Sequence, residues 1–128
     1  MFSLAKLFKS FRHAKDGIFI AFSQNQNLKF HTVVAILVLL ASIYFNLVYT
    51  DLIIILLIIL LVFSAEMINT AIEEVVNLLV NEHKVEAKIA KDVCAAMVLV
   101  VSIGAIVVGF LVFTPYVLKS GFFFNSPF

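Results

Sequence analysis

From Leu52 to Phe63 every side chain is a hydrocarbon, and only Ser64 interrupts the run before Glu66. A helix in water needs one wetted face, and this stretch offers none. Two further stretches are comparable. Phe30 to Tyr49 is broken by little more than His31, Thr32, Ser42 and Asn46, and Val93 to Val117 carries no charged side chain. At 1.5 Å per residue, about 20 residues cross the roughly 30 Å hydrocarbon core of a bilayer. The whole chain is 63% hydrophobic and 13% charged, too little charge to wet a soluble exterior.

These runs predict an all-α integral membrane fold, a single membrane domain over 1–128. It comprises an N-terminal amphipathic interfacial helix over 2–24 and three transmembrane helices over 30–49, 52–76 and 92–117. In the first segment Phe2, Leu4, Leu7, Phe8, Phe11, Ile18 and Phe22 recur at helical spacing. Lys6, Lys9, Arg12 and Lys15 would reach the headgroups from it. Thr50-Asp51 leaves room only for a tight turn, so the first two spans form an antiparallel hairpin. Basic residues cluster before span one and, as Lys84, Lys88 and Lys91, between spans two and three, with none between spans one and two. The positive-inside rule then predicts a multi-pass protein of the cell membrane with its N-terminus and the 77–92 loop in the cytoplasm. Cys94 stands alone and forms no internal disulfide. Beside Ala95 and Ala96 it suggests close helix packing, as does the Ala105 and Gly109 pair. The Phe-rich tail over 122–128 is expected at the outer interface.

The second span departs from a plain anchor. Glu66, Asn69, Glu73 and Asn77 follow at intervals of three, four and four, which confines them to less than a quarter of the helix circumference. Thr70 lies beside them. A carboxylate at that depth is costly, so Glu66 should face protein rather than lipid. The stripe could glue helices together, line an ion path, or form a catalytic or ligand-binding site. Lys91-Asp92 opens span three at the same level as Glu73. Carboxylates for Mg²⁺, a lysine for phosphate oxygens and a further carboxylate for a hydroxyl proton make an inventory suited to phosphoryl transfer.

The segment Ala65-Glu66-Met67-Ile68-Asn69-Thr70-Ala71-Ile72-Glu73, followed by Ala90-Lys91-Asp92, resembles the prokaryotic diacylglycerol kinase and undecaprenol kinase family. The resemblance covers about residues 8 to 115. It implies a homotrimeric membrane enzyme that transfers the γ-phosphoryl group of ATP to a lipid hydroxyl, with Mg²⁺, at sites between subunits. Under that resemblance Glu66 matches the catalytic base and Asn69 a hydrogen-bonder that shapes the site. Glu73 matches a principal metal ligand, Lys91 a contact of the nucleotide phosphates, and Asp92 a partner of the nucleotide. Arg12 and Ala14 resemble positions lining the nucleotide and lipid approaches. No nucleic-acid partner is expected.

Two departures stand out. Ahead of span one the family writes Glu-x-Asn-x-Arg/Lys-x-His, and this chain has Asn25-Gln26-Asn27-Leu28-Lys29-Phe30-His31. Asn25 therefore occupies a metal-binding carboxylate position with an uncharged amide, which should lower metal affinity, with Glu74 and Glu82 as candidates to compensate. Asn77 stands where many relatives have Asp. His31 is expected to be structural at the start of span one, His83 solvated, and Lys29 either a phosphate contact or a membrane anchor. The acceptor is undecaprenol or diacylglycerol. The rival functions are a small oligomeric ion transporter or channel, and a catalytically weak structural relative of the kinases.

Overall fold

A computed structural model describes residues 3–80 and 84–121. Phe2 of the expected interfacial helix, Glu82 and His83 of the loop, and the 122–128 tail lie outside the described residues. Four helices follow in order: α1 (Leu4–Gln24), α2 (Gln26–Tyr44), α3 (Tyr49–Leu79) and α4 (Val85–Lys119). Of these, α2, α3 and α4 are long and apolar enough to cross a membrane, so the chain is an all-α, multi-pass membrane protein. Helix α1 is exposed along nearly its whole length, as expected of an interfacial segment, and only Ala21 near its end is buried.

The helix ends show how the sequence sets the frame. The expected first span ran to Tyr49, whereas α2 stops at Tyr44. Asn46 adopts φ 49°, and this left-handed residue closes the helix. Asn46 N–H donates to the Ile43 carbonyl and Leu47 N–H to the Ser42 carbonyl, the paired bonds of a Schellman stop. Helices α3 and α4 instead outrun their expected spans. At 31 and 35 residues they reach about 46 and 52 Å, so both extend beyond a hydrocarbon core.

Helix α3 is central: α4 packs along it, α2 lies against its other side, and the end of α1 touches both α2 and α3. Phe22 stacks on Phe63 with ring centroids 6.2 Å apart, fixing the end of α1 to α3. Just past the end of α2, Phe45 packs edge to face on Phe113 of α4 at 6.2 Å. At that end Tyr116 donates its hydroxyl to Asp51 Oδ2 at 2.6 Å and accepts the Val48 N–H at 3.1 Å. This clamp ties the α2–α3 turn to the end of α4. The hydroxyls of Thr32, Ser42, Ser64, Thr70 and Thr114 return to carbonyls four residues back, which satisfies them without water.

Because α2 splays from α4, a cavity of about 470 Å³ opens between them with α3 as its floor. Ala105 and Gly109 line it rather than forming the close helix contact their spacing suggested. A Cβ placed on Gly109 would meet nothing within 4 Å. Ala95 and Ala96 are likewise exposed, so their expected close packing is not made within one chain.

Candidate functional site

Asn25 is the junction from which the site is built. Its backbone N–H closes α1 on the Ala21 carbonyl, and its side-chain oxygen caps α2 by accepting from the N–H groups of Asn27 and Leu28. Lys29 reaches back to the Ser23 carbonyl at 3.2 Å, placing a cation at the negative end of α1 rather than toward a phosphate. With the oxygen spent on the cap, only the amide nitrogen of Asn25 is left to turn toward α3. It donates to Glu66 Oε2 at 2.9 Å and to Thr70 Oγ at 2.8 Å.

Glu66 is completely buried. Its second oxygen, Oε1, forms no well-aligned hydrogen bond, but His31 Nε2 stands 3.3 Å away. The carboxylate is therefore held asymmetrically, with Oε2 anchored and Oε1 open. Sequence reasoning placed Glu66 against protein correctly and gave His31 only a structural role. The pairing was missed because it joins positions 35 apart on different helices. The available signal was that His31 is the only histidine of the first span.

One turn further along α3, Asn69 is buried and donates to the exposed Glu73 at 3.1 Å, while its own Oδ1 has no partner. Another turn on, Lys91 of α4 donates to Asn77 Oδ1 at 2.7 Å. The stripe thus divides: Glu66 faces the start of α2, Asn69 pairs with Glu73 along α3, and Asn77 pairs with Lys91 of α4. Asp92 and Glu74 are exposed. Arg12 and Ala14 lie on the exposed body of α1, and no described hydrogen bond or ion pair joins Arg12 to the rest.

The residues present fit a hard divalent cation in part. Among the described residues no three His, Cys, Asp or Glu side chains converge on one point. Yet the exposed Glu73 carboxylate offers one oxygen donor, and Asn69, whose Nδ2 faces Glu73, would offer its partnerless Oδ1 only after its amide turned; Mg²⁺ commonly takes one or two protein oxygens and completes its shell with phosphates and water. For Asn25 the expectation of a metal ligand meets a competing engagement, because its oxygen already accepts two backbone N–H groups.

An enclosed carboxylate where three helices meet, with an exposed carboxylate and a lysine further along α3 and α4, marks a polar site within a multi-pass membrane protein. The family model for prokaryotic diacylglycerol kinase matches residues 12–113, so the chain belongs to that family of membrane lipid kinases. An undecaprenol kinase of Bacillus subtilis (strain 168) is 38% identical over 112 residues, covering 88% of this chain and 91% of the relative. A diacylglycerol kinase of Synechocystis sp. is 37% identical over 114 residues, covering 88% of this chain and 65% of that relative.

Proposed function

We propose that this protein transfers the γ-phosphoryl group of ATP to the hydroxyl of a membrane lipid, with Glu66 as the base. The observation that carries the proposal is the asymmetric hold on Glu66. A fully buried carboxylate with one anchored oxygen and one open oxygen is prepared to take a proton along one direction. Phosphoryl transfer asks little covalent chemistry of the protein beyond positioning and charge stabilisation. Asn69 and Glu73 would hold Mg²⁺, which supplies charge neutralisation for the phosphate oxygens. Lys91 would exchange Asn77 for a phosphate oxygen when the nucleotide arrives, with Asp92 and Arg12 contacting the nucleotide from α4 and α1. Asn25 orients Glu66 rather than binding the metal.

The acceptor would be undecaprenol or diacylglycerol, as the names of the two relatives suggest. Its chain would enter the cavity between α2 and α4, which is continuous with the site because His31 lines the cavity and also faces Glu66. The active end faces the cytoplasm, where the basic residues lie. The working assembly is a homotrimer, whose neighbouring subunit would cover the exposed face of Glu73.

The test is transfer of radiolabelled γ-phosphate from ATP to a panel of undecaprenol, diacylglycerol and a simple long-chain alcohol in detergent micelles, with Mg²⁺ titrated. Labelled lipid that requires both Mg²⁺ and Glu66 is the expected result. Absence of labelled lipid at every Mg²⁺ concentration would refute it.

A further inference from the structure

A buried base creates a second problem: the proton it collects must leave before the next turnover. Before the acceptor enters, Glu66 has no solvent-accessible surface, so only a group in contact with it can take the proton away. Three side chains are joined to Glu66 by a hydrogen bond or close approach. The Asn25 amide donates and does not titrate, and the Thr70 hydroxyl is already committed to the Glu66 backbone carbonyl at 2.9 Å. The third is His31, whose Nε2 faces the open oxygen Oε1 at 3.3 Å and whose side chain is 20% exposed. Imidazole is the side chain that changes charge between pH 5 and 8 and carries protons between two distinct nitrogens.

We propose that His31 is the proton outlet for Glu66. This rests on the lipid kinase function proposed above and concerns the reset of the base after phosphoryl transfer. As the acceptor oxygen bonds to the γ-phosphorus and the bond to ADP breaks, the hydroxyl proton passes to Glu66 Oε1. Neutral His31 then takes that proton on Nε2, restoring the carboxylate, and the imidazolium gives a proton to water from its exposed side. His31 acts through Glu66 and does not touch the acceptor.

The surroundings suit this task. Glu66 is the titratable group that faces His31 from α3. The last two turns of α1, from Gly17 to Gln24, contain no titratable side chain, Asp16 being the nearest before them. Helix α4 lines the shared cavity with Ser102 and apolar residues, and Lys91 and Asp92 lie about 15 Å earlier along it. On α2 itself Lys29 is turned away to Ser23. His31 thus exchanges protons with Glu66 and solvent, without a second charged group beside it among the described residues.

The experiment is the pH dependence of kcat for lipid phosphorylation by the wild type, His31→Gln and His31→Ala, each checked for folding by its melt in detergent. Gln keeps an amide donor within reach of Glu66 but cannot accept a proton. The wild type should lose rate on acidification, as a charged His31 can no longer accept. His31→Gln should lose about tenfold or more in kcat at neutral pH with KM for ATP unchanged, and the wild-type acid limb should vanish. His31→Ala leaves space opening on the cavity, so added imidazole should restore rate to it and not to the wild type. If His31→Gln retains the wild-type kcat or acid limb, the outlet is elsewhere. A folded His31→Ala whose rate imidazole leaves unmoved would overturn the proposal equally. A wild type that phosphorylates no lipid would instead remove the role of Glu66 and this proposal with it.

Discussion

Asn25→Asp separates the two duties of the junction residue. Aspartate caps a helix as well as asparagine does, so the start of α2 keeps its two backbone bonds. What changes is the group facing α3: an N–H donor becomes a carboxylate oxygen at the 2.9 Å separation from Glu66 Oε2. Two unit charges at that distance repel by about 6 kcal/mol at an effective dielectric constant of about 20. The lost hydrogen bond to a charged acceptor adds about 1.5–3 kcal/mol. The variant can relieve most of the repulsion by holding one proton between the carboxylates or by drawing a divalent cation between them. Its thermal midpoint in detergent, followed by circular dichroism, should therefore fall well below the wild type in EDTA at pH 8. Mg²⁺ should raise the variant's midpoint far more than the wild type's, and acidification should narrow the gap. Equal midpoints in EDTA together with equal Mg²⁺ responses would show that the Asn25–Glu66 bond does not carry this energy.

The other predictions concern the exposed half of the site and the two ends of the fold. Glu73→Gln removes the charge from the proposed cation site and should raise the Mg²⁺ concentration for half-maximal rate by about tenfold or more while leaving the melt unchanged. Lys91→Met breaks only an exposed bond to Asn77, so KM for ATP should rise by roughly tenfold or more at constant thermal midpoint. Gly109→Leu should be tolerated because its Cβ meets open space, yet it fills the cavity and should raise KM for a long-chain acceptor more than for a short one. Tyr116→Phe releases Asp51 and the Val48 N–H, so the melt should shift downward with kcat unaffected, since the clamp lies at the opposite end of α3 from Glu66.

Much of this was legible in the residues because membrane helices declare themselves through uninterrupted apolar length, and a carboxylate at Glu66 cannot sit among hydrocarbons without a purpose. The helical repeat alone put Glu66, Asn69, Glu73 and Asn77 on one side of α3. Periodicity cannot say which neighbour faces each of them. Packing decided that Glu66 looks toward α2 while Lys91 of α4 meets Asn77. It also decided how Asn25 is used. As a substitution for glutamate, Asn25 reads as a weakened metal ligand, because the residue's identity shows the missing charge and not the two N–H groups that claim its oxygen. His31 gained its importance in the same way. Contacts between helices depend on how far α2 splays and rotates against α3, and those angles arise from side-chain packing summed along whole helices. The sequence by itself determined three apolar spans and one acidic stripe, because hydrophobic length and helical period are local properties. Only the tertiary structure set the Asn25 and His31 hold on Glu66, because that contact exists only once α1, α2 and α3 have met.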